Sequence, residues 1–200
     1  KNIEVVGNIK LAGKITQTKE YIKPEGEVIV AGSTHDTEEE SVLKAFVEYR
    51  KQVDAKLIIV PRHPERFDGV YELMKQYASI HQLSLSRFSE QENFEADMIL
   101  VDAMGELNNI YAISDIAIVG GAFKEKVGGH NPLEPAHFGC KIITGKHFHD
   151  QRELYKYVYN VQYVERDEIH KALIASKDLP PSMLEETINL ETVINKIKEP

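Results

Sequence analysis

Tryptophan is missing from this 200-residue chain, and cysteine occurs once, at Cys140. One thiol excludes an internal disulfide framework and fits a reducing compartment. Cys140 heads an apolar run and reads as a small buried hydrophobe. Positive charge is also short. Lys and Arg number 24 against 32 Asp and Glu, a net charge of −8, which argues against nucleic acid as a partner. No apolar run nears the roughly 20 residues that span a bilayer, and no secretory signal is visible.

Several ligand signatures are missing as well. A dinucleotide site needs G-x-G-x-x-G at the first strand-to-helix turn, and that turn here, Ala31-Gly32-Ser33-Thr34-His35-Asp36, has one glycine. No stretch matches the G-x-x-x-x-G-K-[ST] phosphate loop. No G-x-S-x-G elbow surrounds Ser33, so hydrolase chemistry has no support. His35, His63, His130, His137, His147 and His149 repeat no metal-ligand spacing, and no metal site is expected.

What is present is ordinary for a soluble domain: 42% hydrophobic and 28% charged residues, in a chain long enough for one α/β core. Residues 1–26 read as a linker with a strand-like stretch, Ile3 to Leu11. The chain opens on Lys1 and not on Met, which suggests a piece of a longer protein. Strands are expected at Glu27 to Ala31, Lys56 to Val60, Leu83 to Arg87, Asp97 to Val101, Ile116 to Val119, Lys141 to Thr144 and Val161 to Val164. Between them run helical patterns. The first extends to Val53, with Val42, Leu43, Phe46, Val47 and Tyr49 as its apolar stripe and Thr37 with Glu40 as a capping box. Others cover Glu65 to His81, Gly105 to Ile113, Asn131 to Gly139, Gln151 to Tyr157 and Asp167 to Ser176. Pro180-Pro181 closes the domain, 27–180, and a last helix is expected from Ser182 to Lys198, within 181–200.

Strands alternating with helices predict an α/β fold, a Rossmann-like doubly wound parallel sheet. Such sheets bind ligands beyond the carboxyl ends of their strands. The unusual residues of this chain gather there. Val119 to Gly139 holds Gly120-Gly121, Gly128-Gly129 and then Asn131-Pro132-Leu133-Glu134. Asn suits the N-cap, Pro the first helical position and Glu the third. Amides at such a helix start can hold a phosphate, and the glycines upstream would let a ligand approach the backbone. The same sequence also starts helices that bind nothing, with Glu134 capping its own helix. Pro61-Arg62 follows the second strand. Arg62 can fork onto a phosphate or carboxylate, or pair with Glu65. Met104-Gly105-Glu106 follows the fourth. Gly105 would let a planar ring lie on the backbone, but spacing alone favours a plain helix start capped by Asp102.

The motifs AGSTHDTEEE (Ala31 to Glu40), IIVPRHPERF (Ile58 to Phe67), DAMGEL (Asp102 to Leu107) and VGG…GGHNPLEPA (Val119 to Ala136), in this order, resemble the C-terminal half of 3-deoxy-D-manno-octulosonic acid (Kdo) transferases. The resemblance spans roughly Gly7 to Gly145. It implies one half of a GT-B glycosyltransferase, whose C-terminal domain binds the CMP part of CMP-Kdo. It implies CMP contacts at Pro61, Arg62, Met104, Gly105, Glu106, Asn131, Pro132, Leu133 and Glu134, with Ser33, Gly128 and Gly129 as further candidates. Glu134 would hold the ribose hydroxyls. It implies no cofactor and no metal, an inverting transfer to a lipid A precursor, and a catalytic carboxylate and acceptor surface in an N-terminal domain outside this chain. Membrane association, at the cytoplasmic face of the bacterial inner membrane, would come through that part. By itself the chain would have no transferase activity. Ala103 departs from the hydroxyl residue expected before Met-Gly-Glu, which removes one hydrogen bond near the nucleotide. Two other readings stay open: a non-catalytic interaction domain of the same fold, and a domain of another sugar-nucleotide enzyme, such as a UDP-sugar transferase or epimerase.

Overall fold

The structure is a computed structural model that describes residues 15–185. The strand-like stretch Ile3 to Leu11 and residues 186–198 of the expected last helix lie outside it.

Seven strands form one parallel sheet: β1 (Glu27–Thr34), β2 (Ala55–Pro61), β3 (Leu85–Arg87), β4 (Met98–Leu100), β5 (Ile116–Val119), β6 (Lys141–Thr144) and β8 (Val161–Tyr163). Their order is β3-β4-β2-β1-β5-β6-β8. β7 (Val158–Tyr159) pairs antiparallel with β9 (Met183–Leu184) apart from it. The helices are α1 (Glu38–Arg50), α2 (Phe67–His81), α3 (Leu107–Tyr111), α4 (Leu133–His137), α5 (Arg152–Tyr155) and α6 (Ile169–Ala175).

The unbroken apolar runs of β1 and β2 follow from burial on both faces. Side chains alternate across a strand. Ile29, Ala31, Leu57 and Ile59 therefore join Leu43, Phe46 and Tyr49 of α1, Met74 of α2 and Leu173 of α6 in one core. Val28, Val30, Ile58 and Val60 join Ile110 and Tyr111 of α3 and Cys140 in the other. Cys140 is fully buried, and burial pushes its thiol up to about 12, so it is inert.

Four expectations change. The Thr37–Glu40 capping box does not form: Thr37 sits at φ 70° and makes no side-chain cap. The carboxylate of Glu38 accepts the His35 N–H instead, at 2.9 Å. β1 also runs on through Ser33, at φ 53°, to Thr34, with a register shift there. α1 ends at Arg50 and not at Val53. Lastly, Met183-Leu184 is strand and not the start of a helix, because this segment is tied to the main sheet. Ser182 N–H donates to the Cys140 carbonyl, and Ser182 Oγ accepts the Ile142 N–H.

Residues 15–26, expected as a linker, pack onto the domain. Tyr21 stacks edgewise on Phe88 and Phe94, with centroids 5.9 and 5.2 Å apart. The N–H groups of Thr18 and Lys19 both donate to Asn109 Oδ1.

Candidate functional site

The order of the sheet makes β1 the switch strand. The chain leaves it toward β2, β4 and β3 on one side and returns to β5 on its other side. The two connections diverge beyond the carboxyl ends of β1 and β5, which opens a crevice there.

Two glutamates that motif reading passed over build its floor. Glu38 is 1% exposed. Both its carboxylate oxygens accept the Gly121 N–H, each at 3.0 Å, and one also accepts the His35 N–H. It thus ties the turn after β1 to the turn after β5. Desolvation raises its pKa against these bonds. Glu39, also 1% exposed, accepts Thr34 Oγ1–H at 2.7 Å and both terminal nitrogens of Arg66. In the sequence, Glu38-Glu39-Glu40 looks like an acidic first turn. Their signal was position, directly after the switch strand.

Pro61 is buried and Arg62 is exposed. The Arg62 N–H donates to the Thr34 carbonyl at 3.0 Å, which fixes the backbone. Among the described residues its guanidinium has no ion-pair partner. Glu65, the alternative partner, lies 3.9 Å from His63 instead.

Across the crevice, α4 starts at Leu133, with Pro132 and not Asn131 as its N-cap residue and with no side-chain cap. Asn131 Oδ1 still accepts the Leu133 N–H at 3.0 Å, a local turn bond just before the helix. Its Nδ2 donates to Glu134 Oε1 at 3.0 Å. Glu134 therefore does not cap its own backbone. α4 is only five residues long, so its end offers local amides and little macrodipole. Burial raises the pKa of Glu134, while the Asn131 bond and the charge of Arg62 pull it back. Arg62 and Glu134 thus lie on one side of the domain, within each other's field. A carboxylate has about four acceptor sites; among the described residues, one of those of Glu134 is used.

The third predicted segment divides in two. Met104 is 60% exposed, and Gly105, at φ 83°, has open space where a Cβ would stand. Glu106 is 7% exposed, and its carboxylate is already engaged. It accepts Tyr21 Oη–H and Asn109 Nδ2–H, each at 2.8 Å, and pairs with Lys19 Nζ at 2.9 Å. Burial alone would raise its pKa, but Lys19, Asn109 and Tyr21 outweigh burial and hold it below the usual range. Asp102 does not cap α3: it accepts bonds from Ser89 and Arg87.

Gly128 and Gly129 serve packing. Both sit at φ 85° and are buried. A Cβ on Gly128 would come within 2.6 Å of Asp150, and one on Gly129 within 2.9 Å of Phe148. They let the segment after β6 pack on the loop. Gly129→Ala is expected to cost about 1–3 kcal/mol from overpacking and the left-handed backbone together. Urea unfolding would show the loss; an unchanged midpoint would mean that the two loops do not pack this way.

Three hollows occur elsewhere, of about 680, 370 and 360 Å³, and none is lined by a predicted site residue. Among the described residues no cluster of His, Cys, Asp and Glu is arranged to hold a metal ion, and no helix is long and apolar enough to cross a membrane.

No family model matches the chain. Curated relatives do. It is 39% identical over 171 residues to the 3-deoxy-D-manno-octulosonic acid transferase of Haemophilus influenzae, covering 81% of this chain and 39% of that protein. It is 41% identical over 159 residues to the Aquifex aeolicus protein of the same name, covering 79% of this chain and 42% of that one. The chain thus spans about two fifths of the length of these relatives. Among solved structures it is similar to the C-terminal CMP-Kdo binding domain of WaaA from Acinetobacter baumannii, with a TM-score of 0.65 and 29% identity over 76% of this chain and 80% of that one. Sequence and fold together group the chain with the 3-deoxy-D-manno-octulosonic acid transferases, as a match to the C-terminal domain of that family.

Proposed function

We propose that this chain binds CMP-Kdo and is the donor half of a GT-B Kdo transferase. The observation that carries the reading is Glu134: a half-buried carboxylate near the switch point with one hydrogen-bond donor among the described residues, which feels the charge of an arginine that has no ion-pair partner among them. A ribose diol supplies the two O–H donors such a carboxylate lacks. Arg62 and the amides at the start of α4 would face the phosphate. The peptide groups at Met104 and Gly105 would read the edge of cytosine. When Kdo leaves CMP, negative charge grows on that phosphate, and fixed positive charge and N–H groups stabilise it. The base that activates the acceptor hydroxyl would come from a second domain, with the lipid A precursor bound there at a membrane surface. The transfer would invert the anomeric centre and need neither metal nor cofactor.

Calorimetric titration tests the reading. CMP should bind the 200-residue chain in the micromolar to millimolar range, and UMP about tenfold or more weakly, because uracil exchanges the donor and acceptor that cytosine presents. Equal binding of UMP would favour a UDP-sugar enzyme. No heat from either, with the chain shown folded, would favour an interaction domain that has lost its ligand.

A further inference from the structure

Two histidines lie inside the donor site without a role in it. His35 follows β1, and His130 directly precedes Asn131. Their Nε2 atoms are 2.7 Å apart, the ring planes differ by 8° and the centroids are 5.0 Å apart. Nitrogens this close, in nearly parallel rings with centroids this far apart, mean that the rings meet edge to edge in almost one plane. Such an N–H···N bond holds one hydrogen: one ring donates and the other accepts. The pair can carry no charge or one positive charge, and a second proton would break the bond.

The surroundings set which. From the turn after β2, His63 packs edgewise on His35, with centroids 5.4 Å apart, and Arg62 acts on both rings of the pair. Arg66 and, from α1, Glu39 also face His35. Gly121 packs on the His130 ring, where a Cβ would come within 2.7 Å of Cδ2. Two carboxylates lie close by: Glu39, and Glu38, which accepts the N–H of His35 and of Gly121. Burial, then the neighbouring His35 and Arg62, hold His130 down to about 4, and burial with His63 and Arg66 lowers His35. At neutral pH the pair is uncharged. Arg62 acts on His35, His130 and Glu134 alike, so an anion that settles on Arg62 also acts on the pair.

We infer that the His35–His130 pair is a proton-accepting part of the donor site, which takes one proton from solvent when an anionic phosphodiester binds beside Arg62. The inference rests on the donor reading above. The proton adds to the free ring nitrogen of the donating histidine, the shared N–H···N bond stays, and the positive charge offsets that of the bound anion. No other bond changes. An opposite charge within about 4–6 Å raises a histidine by about 1–3 pKa units, and a rise of about two from the value near 4 of His130 is the shift expected on binding. The chain would then take up about half a proton per ligand at pH 6, and bind about fourfold more tightly at pH 5.5 than at pH 7.5 through this pair alone. Glu134 works with the opposite sign. Its raised pKa falls when ribose hydroxyls bond to the carboxylate, which releases protons. The informative quantity is therefore the difference between wild type and a histidine variant.

The probe is the methyl ester of CMP, a phosphodiester like the donor, with no phosphate ionisation near neutrality. Titrated at pH 6 in two buffers of different ionisation enthalpy, wild type should take up about half a proton more than His130→Asn or His35→Asn. Imidazole ¹⁵N shifts of wild type, which need no variant to fold, should move toward the doubly protonated form at one ring of the pair on saturation. Ester binding with equal proton uptake, or with unmoved imidazole shifts, overturns this inference and leaves the donor reading standing. Failure of the folded wild type to bind the ester overturns both.

Discussion

Glu134→Ala is expected to cut CMP affinity by about 100-fold, and Glu134→Gln to leave the fold at least as stable as wild type. The first effect follows from two charge-assisted hydrogen bonds to ribose, each worth about 1.5–3 kcal/mol gross. A net loss near 3 kcal/mol is about two decades in Kd. The second follows from the sign of the pKa shift. In the folded chain Glu134 titrates above its ordinary value of 4.5, because burial outweighs Asn131 and Arg62. The native state then holds more protons than the unfolded one between those two values, so stability falls as pH rises through that window. Gln keeps the Asn131 bond and removes the buried charge. Its advantage over wild type should be full at pH 7 and absent below about pH 4. Thermal unfolding at both values, beside CMP titration, checks this. A variant that loses binding and stability together would make Glu134 a structural residue and remove the main support for the donor site.

Arg66→Ala is the substitution expected to cost most in stability, about 3–5 kcal/mol. It leaves Glu39, 1% exposed, without the guanidinium that holds both its oxygens. Removing one partner of such a pair strands a charge that water does not reach. The melting point should fall by about 10 °C. The penalty should shrink when Glu39→Gln is added, because that removes the stranded charge. A loss of the same size with Glu39→Gln present would mean that packing, and not charge, holds α1 to the turn before α2. CMP binding should weaken as well, since Glu39 also fixes Thr34, whose carbonyl positions Arg62.

How far the site could be read varies by segment. The Asn131 side chain bonds the Leu133 amide because the two are neighbours along the chain, although α4 starts one residue later than expected, with Pro132 as its N-cap residue. Arg62 lands beyond β2 because the strand before it is buried on both faces and stops at Pro61. The partners of the Glu106 side chain could not be read: Lys19 and Tyr21 are more than 80 residues away, in a segment that looked like a linker. Thr37 misled for a similar reason. Glu38 is drawn off the helix start by Gly121, 83 residues distant, and no local pattern records that pull. The histidines have no metal-like spacing along the chain, yet three of them meet in space.

The sequence by itself determined the parallel sheet and the places of its strands, though not every strand end. β5 and β6 fall where their apolar runs stand, at Ile116–Val119 and Lys141–Thr144, because a short apolar run buried on both faces needs no distant partner to declare itself. Only the tertiary structure decided which polar groups are spent on the fold and which are left for a ligand. Glu38, Glu39 and Glu106 are satisfied inside the protein, while among the described residues the Arg62 guanidinium has no ion-pair partner and Glu134 has one donor, Asn131. The reason is physical. Burial of an apolar run depends on its own composition, but satisfaction of a carboxylate depends on whatever donors the fold brings within about 3 Å.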